Sequence, residues 1–273
     1  MTRIALVVSD VDGTLVTRDK TLTDRAKAAV RRLHQAGVGF TITSSRPTIG
    51  MHFLVAPLQI TLPIGAFNGS SIVDPELKVI EQHVLPASAT RRSLDMLGEF
   101  GIDIWLFTNE HWFTRNGNGE HVPHEKRAIR ADPTVIEDFA PYVTSACKLV
   151  GSTSDPELLI RCEQAMQQTI GAQANAVRSQ NYYLDVTPPG HNKGTFVQAM
   201  AKRLGIPSAA VATIGDMQND VAMFKVSGLS FAMGNATEDV KKHAARSTAS
   251  NEDEGFAMAV EAILKEDAKG HDS

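Results

Sequence analysis

The stretch Ser9-Asp10-Val11-Asp12-Gly13-Thr14-Leu15 follows directly after the apolar run from Ile4 to Val8. A continuous apolar run with β-branched residues is typical of a strand that is buried on both faces of a parallel sheet. Open α/β sheets bind their ligands beyond the carboxyl ends of the strands. The sequence therefore predicts that this acidic stretch closes the first strand and faces a binding site.

The two carboxylates of this stretch, Asp10 and Asp12, stand one residue apart, and alternate side chains of an extended segment point the same way. Two carboxylates in one pocket are hard to tolerate unless a cation binds or one of them holds a proton. Ligands that are all oxygen atoms suit Mg²⁺. Taken alone, the pattern is explained equally well by a solvated turn, because Asp and Gly are common in turns.

Polar residues also follow three further strand-like runs: Val38–Thr43 precedes Ser44-Ser45-Arg46, Pro63–Phe67 precedes Asn68-Gly69, and Val211–Ile214 precedes Gly215-Asp216-Met217-Gln218-Asn219-Asp220. Hydroxyl and free N–H groups at a helix start, as at Ser44, can hold a phosphate. Each of these groups also has an ordinary explanation as a helix cap or a turn residue.

Lys193 begins a predicted core helix, where a cation is normally disfavoured, and therefore indicates negative charge nearby, although a surface lysine is the simpler reading. The carboxyl ends of parallel strands meet at one edge of a sheet, so we expect these polar groups to converge on one site. Carboxylates, a hydroxyl and a lysine are the groups that phosphoryl transfer needs.

Strand and helix patterns alternate in the first quarter and the last third of the chain, as in the predicted helices Thr21–Gly37 and Lys193–Leu204. This alternation predicts an α/β fold with a parallel sheet and right-handed crossovers, a Rossmann-like three-layer core. The middle mixes helices with antiparallel strand patterns, and Pro86 and Pro188-Pro189-Gly190 punctuate its ends. We predict a core of residues 1–82 and 189–273, split by an inserted α+β cap of residues 83–188.

The composition narrows the classes of partner. The chain has 273 residues, 42% of them hydrophobic, and a formal net charge of −4, so a nucleic-acid partner is disfavoured. The sequence lacks both an apolar run of membrane-spanning length and a signal-peptide pattern. Cys147 and Cys162 have neither metal-ligand nor redox spacing. We expect a cytoplasmic protein with no membrane or nucleic-acid partner, a monomer or a small homo-oligomer.

The motifs together resemble the haloacid dehalogenase superfamily, in its branch of Cof-like sugar-phosphate phosphatases with a large type-two cap. The likeness runs from residue 4 to about residue 265 and is carried by Asp10-Val11-Asp12-Gly13-Thr14-Leu15, Ser44-Ser45-Arg46, Asn68-Gly69, Lys193-Gly194, Gly215-Asp216-Met217-Gln218-Asn219-Asp220 and Ala232-Met233-Gly234-Asn235-Ala236. The first and fifth stretches are the most specific.

The resemblance implies a role for each acidic residue. Asp10 resembles the nucleophile that forms an aspartyl-phosphate, and Asp12 the general acid and then base. The implied ligands of Mg²⁺ are Asp10, Asp216 and the backbone carbonyl of Asp12. Asp220 resembles the residue that orients Lys193 or a water molecule of the metal.

The resemblance also implies which groups bind the phosphate and the rest of the substrate. The phosphate-binding groups are the side chains of Ser44, Lys193 and Asn219 and the N–H groups of Val11 and Ser45. Ser45 stands where the family usually has glycine, which leaves open whether Ser44 or Ser45 supplies the hydroxyl contact. Candidate substrate contacts are Asn68, Arg178 and Tyr182, each of which is also explained by ordinary packing or, for Asn68, by a turn.

The implied function is a Mg²⁺-dependent phosphatase that acts on a small phosphorylated metabolite, such as a sugar phosphate, through an aspartyl-phosphate. A phosphomutase on the same scaffold would return the phosphoryl group to another hydroxyl. A receiver-like signalling protein would store the phosphoryl group on the aspartate without turnover. A metal-dependent glycosyltransferase with an Asp-x-Asp site is a weaker alternative, since there the motif normally lies well inside the chain.

Overall fold

The computed structural model describes residues 2–269 and divides into two compact units. The first unit comprises residues 2–45, 52–78 and 192–269, and the second unit comprises residues 46–51 and 79–191. The second unit begins a few residues before the predicted cap and also takes in residues 46–51, which the sequence did not indicate. The assignment of a catalytic core and a cap to these units stays a prediction, and residues 1 and 270–273 of the predicted core lie outside the described residues.

The first unit opens with alternating strands and helices: β1 (Leu6–Ser9), α1 (Asp24–Gln35), β2 (Gly39–Ile42), α2 (His52–Leu58), β3 (Ile64–Ala66) and β4 (Ser71–Val73). The second unit follows with β5 (Val79–Gln82), α3 (Ala87–Glu99), β6 (Asp103–Phe107), β7 (Trp112–Thr114), α4 (Val122–Ile129), β8 (Thr134–Val135), β9 (Lys148–Ser152), α5 (Pro156–Ile170), β10 (Asn175–Gln180) and β11 (Tyr183–Thr187).

The chain then returns to the first unit with α6 (Lys193–Leu204), β12 (Val211–Gly215), α7 (Val221–Phe224), β13 (Leu229–Ala232), α8 (Glu238–Lys241), β14 (Arg246–Ser247) and α9 (Gly255–Lys269). Five strands of the first unit form one parallel sheet in the order β14-β13-β12-β1-β2. The predicted α/β fold with a parallel sheet is therefore confirmed.

Strand β1 lies between β2 and β12 and is buried along its whole length, as its apolar run predicts. Ser9, its last residue, pairs with Ile42 of β2 and Ile214 of β12, so the three strands end at the same level. The residues that follow these strands therefore start from one edge of the sheet. Leu6 and Val8 pack with apolar residues of α6 in the core of the first unit.

The third predicted strand, Pro63–Phe67, differs from its expected place in the parallel sheet. Its ordered part, β3, pairs with β4 in an antiparallel hairpin, and a single parallel bridge joins Gly65 to Thr43 just beyond β2. The three residues of β3 form their ladder with β4, which leaves a single bridge to the residue after β2. The bridge nevertheless brings the end of β3 beside the end of β2.

The second unit contains a sheet of strand order β10-β11-β9-β6-β7-β8, in which only the β7–β8 pairing is parallel. Residues of α3 and α5 pack with Ile104, Leu106 and Leu149 of this sheet in a separate hydrophobic core. Antiparallel strands covered by helices are an α+β arrangement, as the pattern of the middle region predicts. Among residues 2–269, none of the helices is long and apolar enough to cross a membrane.

Candidate active site

A buried lysine links two carboxylates at the carboxyl edge of the parallel sheet. Asp10 follows β1 directly, and its N–H donates to the carbonyl of Ile214 in β12 at 2.9 Å. The Nζ of Lys193 donates to Oδ1 of Asp10 at 2.5 Å and to Oδ1 of Asp220 at 2.6 Å. All three side chains are at least nine-tenths buried. Because such ion pairs are barely screened, the two carboxylates fix the ammonium firmly in place.

Lys193 is the first residue of α6, and the cap of that helix determines where its side chain starts. The Asn192 side chain accepts from the N–H groups of Gly194 and Thr195, and the Thr195 hydroxyl accepts from the N–H of Asn192. This capping box satisfies backbone donors at the helix start. The positive charge of Lys193 is therefore compensated by the carboxylates of Asp10 and Asp220, since the start of a helix is itself positive.

Asp220 shapes the loop after β12. Its Oδ2 accepts from the N–H groups of Asp216 and Met217, both at 2.8 Å, while its Oδ1 accepts from Lys193. One carboxylate thus closes the loop that carries Asp216 and also holds the lysine. The side chain of Asp220 is fully buried, and these hydrogen bonds offset the free-energy cost of burying its carboxylate.

Asp216 is oriented by two neutral donors. The Thr14 hydroxyl donates to Oδ1 at 3.1 Å, and Nδ2 of Asn235 donates to Oδ2 at 3.1 Å. Gly13 packs directly against this carboxylate, since a Cβ added at Gly13 would lie 2.3 Å from Oδ2 of Asp216. The positive φ of Gly13, 78°, also favours glycine. The absence of a side chain at Gly13 therefore leaves the space that the carboxylate of Asp216 occupies.

Three carboxylates of this site could share a metal ion. One carboxylate oxygen from each of Asp10, Asp216 and Asp220 lies within 4.8 Å of the others, and all three residues are buried. One ammonium, that of Lys193, faces three carboxylates, so two negative charges are uncompensated when all are ionised. A divalent cation with a preference for oxygen ligands would compensate these charges, so the residues fit Mg²⁺.

The pKa values of the site show the same imbalance. Burial raises the pKa of Asp10 to about 6, although Lys193 opposes the shift. Burial and then the charges of Asp10 and Asp220 raise the pKa of Asp216 to about 9. Burial alone would lower the pKa of Lys193, but the two adjacent carboxylates outweigh it and raise that pKa. The lysine is therefore charged, whereas the acidic cluster retains a proton unless a cation binds.

Asp12 stands apart from the buried cluster. Its Oδ1 accepts from Nζ of Lys20 at 2.7 Å, and 31% of its side chain is exposed. A partly exposed carboxylate two residues from Asp10 can exchange protons with a substrate or with water. The ammonium of Lys20 lies against this carboxylate at the exposed side of the site.

The predicted phosphate-binding residues Val11, Ser44 and Ser45 follow β1 and β2 at the same edge of the sheet. Ser44 is buried, its N–H donates to the carbonyl of Gly65 at 2.9 Å, and its own carbonyl accepts from the N–H of Asn68 at 2.7 Å. Ser45 is half-buried, and Val11 is fully buried between Asp10 and Asp12. Contacts of these groups with a phosphate stay predictions.

Asn219 and Asn68 meet although they follow different strands. Nδ2 of Asn219 donates to Oδ1 of Asn68 at 3.0 Å, across 151 positions of the chain. Oδ1 of Asn219 is buried and has no hydrogen-bond partner among the described residues. The amide of Asn68, predicted as a substrate contact, is thus engaged by a predicted phosphate-binding residue.

The other two predicted substrate contacts, Arg178 and Tyr182, belong to the second unit. Nε of Arg178 donates to Oε2 of Glu163 at 2.8 Å, so its charge is already paired. Tyr182 stacks on the ring of His121 with centroids 4.6 Å apart. Both observations agree with packing roles, and substrate contacts of these residues stay predictions.

Three residues of the site were not predicted from the sequence. Thr14 and Asn235 orient Asp216, and Lys20 pairs with Asp12. Asn235 follows β13 closely, so the rule that strand ends converge could have identified it. Thr14 lies in the stretch after β1 that was predicted to face a binding site, but its partner and that of Lys20 could not be predicted, because these contacts depend on how the loop after β1 folds.

The chain is similar to known proteins over most of its length. A family model described as haloacid dehalogenase-like hydrolase matches residues 7–260. The HMP-PP phosphatase of Cronobacter sakazakii is 28% identical over 229 residues, covering 83% of each chain. The 5-amino-6-(5-phospho-D-ribitylamino)uracil phosphatase YcsE of Bacillus subtilis is 27% identical over 259 residues, covering 94% of each chain. A crystal structure of a haloacid dehalogenase-like hydrolase from Bacteroides thetaiotaomicron matches with a TM-score of 0.87 and 28% identity, over 96% of this chain and 100% of that one.

Proposed function

This chain belongs to the haloacid dehalogenase-like hydrolase family, and we propose that it is a Mg²⁺-dependent phosphatase that hydrolyses a small phosphorylated metabolite through an aspartyl-phosphate on Asp10. The likeness that the motifs predicted is confirmed for the family. The observation that supports the mechanism is the bridge from Lys193 to Asp10 and Asp220, with Asp216 beside it. The relatives YcsE and HMP-PP phosphatase are named for phosphorylated small molecules, which supports the substrate class.

In the first step, a carboxylate oxygen of Asp10 attacks phosphorus and the bond from phosphorus to the leaving oxygen breaks. Lys193 engages Oδ1 of Asp10 at 2.5 Å, which leaves Oδ2 as the attacking oxygen. A protonated Asp12 gives its proton to the leaving oxygen, so the leaving group departs as a neutral alcohol. The ammonium of Lys193 also stabilises negative charge on the transferring phosphoryl oxygens.

In the second step, the charged Asp12 takes a proton from water as the water oxygen attacks the phosphorus of the aspartyl-phosphate. The bond between phosphorus and Asp10 breaks, which regenerates the Asp10 carboxylate and releases inorganic phosphate. Nζ of Lys20 contacts Oδ1 of Asp12, so it lies beside the group that accepts this proton. Asp12 thus ends the cycle protonated, as the first step requires.

Asp10, Asp216 and the backbone carbonyl of Asp12 would hold Mg²⁺, whose charge would offset that of the phosphate and the carboxylates. Thr14 and Asn235 keep Asp216 in place, and Asp220 fixes the loop on which Asp216 stands. These contacts preorganise the ligand set, so that little of the binding energy is spent on ordering it.

The proposal is tested by phosphate release from p-nitrophenyl phosphate and from a panel of sugar phosphates and phosphorylated heterocyclic metabolites. We expect release with Mg²⁺ and its loss with EDTA. Asp10→Asn should lower kcat by at least about 1000-fold, because a neutral amide cannot act as the nucleophile. Asp24→Asn, at an exposed position in α1, is the control and should retain wild-type activity.

Wild-type activity of Asp10→Asn would exclude Asp10 as the nucleophile. Conversion of one sugar phosphate into its isomer without free phosphate would favour the phosphomutase alternative. An aspartyl-phosphate that persists without turnover would favour the signalling alternative.

A further inference from the structure

The turn after β3 has an unusual backbone. Phe67, Asn68 and Gly69 follow one another with φ values of 49°, 58° and 90°. Two of these residues are not glycine, and a positive φ is unfavourable for them because of their Cβ atoms. Gly69 has no alternative, since a Cβ there would lie 2.6 Å from the Cβ of Phe196. Strained backbone of this kind persists only where surrounding contacts hold it.

The strained conformation places Asn68 between two loops. Its N–H donates to the carbonyl of Ser44, after β2, at 2.7 Å. Its side-chain Oδ1 accepts from Nδ2 of Asn219, after β12, at 3.0 Å. One residue therefore contacts two of the predicted phosphate-binding residues, the first through its backbone and the second through its side chain.

The side-chain contact determines how the amide of Asn219 is oriented. Asn68 accepts one N–H of Asn219, so Nδ2 is fixed on that side and its second N–H is left for another acceptor. Oδ1 of Asn219 is buried and unpartnered among the described residues. A buried amide without this bond would rotate and present its oxygen where an anion needs a donor.

We propose that Asn68 is a positioning residue, which fixes the amide of Asn219 and the backbone of Ser44 for binding of a phosphoryl group. The inference rests on the proposed function for its biological meaning. It gives Asn68 a role that acts through Asn219, because the oxygen of Asn68 accepts from Nδ2 of Asn219. On this inference, the unfavourable backbone conformation of the turn is retained because it lets Asn68 contact both loops.

Asn68→Gly tests the side chain alone. Glycine adopts a positive φ without strain, so the turn and the N–H bond to Ser44 should survive while the amide is lost. The matched control is Gln59→Gly, because Gln59 also has a positive φ, 50°, but is exposed and precedes β3. Two readouts are measured, the Kd of inorganic phosphate with Mg²⁺ by calorimetry and the kcat and KM for p-nitrophenyl phosphate.

We expect Asn68→Gly to weaken phosphate binding about tenfold, with no loss of thermal stability, since one hydrogen bond that orients a ligand contact is removed. In an Asn219→Ala background the same change should have no further effect, because Asn68 acts through Asn219. Gln59→Gly should bind phosphate as the wild type does.

Wild-type phosphate affinity in Asn68→Gly, or effects of Asn68→Gly and Asn219→Ala that multiply, would overturn the inference. The two readouts separate this outcome from failure of the proposed function. Wild-type protein that binds phosphate but hydrolyses no ester would contradict the phosphatase, while weakened binding in Asn68→Gly would still support the positioning role. Wild-type protein that does not bind phosphate contradicts both.

Discussion

At the scale of single residues, Lys193 carries the largest part of the charge balance in the site. It is the cation that contacts both Asp10 and Asp220 in a buried setting. We expect Lys193→Met in EDTA to lower the free energy of unfolding by about 3–5 kcal/mol, because two buried carboxylates lose their partner. Urea denaturation measures this change.

Lys202→Met is the matched control, since Lys202 is exposed in the last turn of the same helix. We expect it to change the free energy of unfolding by no more than about 0.5 kcal/mol. Equal unfolding midpoints for Lys193→Met and Lys202→Met would contradict the buried bridge.

Asp216 should make the metal-free protein less stable as the pH rises. Its pKa is about 9 in the folded chain and 3.8 as its usual value, so between these pH values the folded state holds a proton that the unfolded state has lost. The contribution of this proton to stability is complete below pH 3.8 and is lost as the pH rises towards 9. In EDTA, Asp216→Asn should therefore unfold at a higher urea concentration than the wild type at pH 8, and the gap should narrow towards pH 5.

Mg²⁺ should raise the Tm of the wild type and not that of Asp216→Asn, because the variant lacks a charged ligand. The exposed Asp95→Asn serves as the control and should keep the wild-type response to both pH and Mg²⁺. A wild-type pH dependence in Asp216→Asn would show that the sensitivity arises elsewhere.

At the scale of elements, helix α5 protects the edge strand β10. Oε1 of Glu163 accepts from the N–H of Arg178 at 2.9 Å, and Nε2 of Gln167 donates to the carbonyl of Ala176 at 2.8 Å. These backbone groups lie on the side of β10 that has no neighbouring strand. Exposed edge groups of this kind pair readily with another chain, so the two side chains act against strand addition.

The double substitution Glu163→Ala and Gln167→Ala should therefore promote self-association. We expect a sedimentation coefficient that rises with concentration, because β10 can then pair with a second molecule. Gln164→Ala with Gln168→Ala is the matched control, since these glutamines are exposed on the same helix. A double variant that sediments as the wild type does at every concentration would show that β10 does not promote pairing.

Elements with local signals were predictable from the sequence, and elements without them were not. Helix α1 lies within the predicted helix Thr21–Gly37 and is capped by Thr23, and α6 begins at Lys193, as predicted, behind its capping box. Helix α4 was not predicted, and the residue before it, His121, is not one of the Ser, Thr, Asp or Asn residues that mark a helix start in a sequence. The pairing of β3 was also missed, because a three-residue strand fits a hairpin and a parallel sheet equally well.

The same distinction holds in the site. The convergence of Asp10, Asp216 and Asp220 could be anticipated, because topology alone brings the carboxyl ends of parallel strands together. Lys193 starts a helix, and only its positive charge at that position indicated acidic groups nearby. The pairing of Asp12 with Lys20 could not be anticipated, because it depends on a loop conformation in which Lys20 itself has a φ of 59°. Sequence patterns thus predict the position of a residue in the fold better than the hydrogen-bond partner of its side chain.

At the scale of the whole molecule, each unit has a hydrophobic core of its own, whereas the proposed metal ligands all belong to the first. Mg²⁺ at 100 times its Kd should slow globally governed amide exchange in β1 and β12 by about 100-fold. Exchange in β6, β9 and β11 should change much less, and mass spectrometry of peptic fragments measures both. Equal protection of the two sets of strands would show that the two units unfold together, and no protection in β1 and β12 would contradict the metal site.

The position of β1 in its sheet has a consequence for how the protein is made. β1 pairs with β12, whose residues follow β1 by some two hundred positions. On the ribosome, Asp10 therefore emerges long before Lys193 and Asp216, and the second unit can fold while β1 still lacks one neighbour. Until Lys193 and Asp216 have been synthesised, the nascent chain carries Asp10 without the lysine that pairs with it, so the proposed site can form only after those residues have emerged.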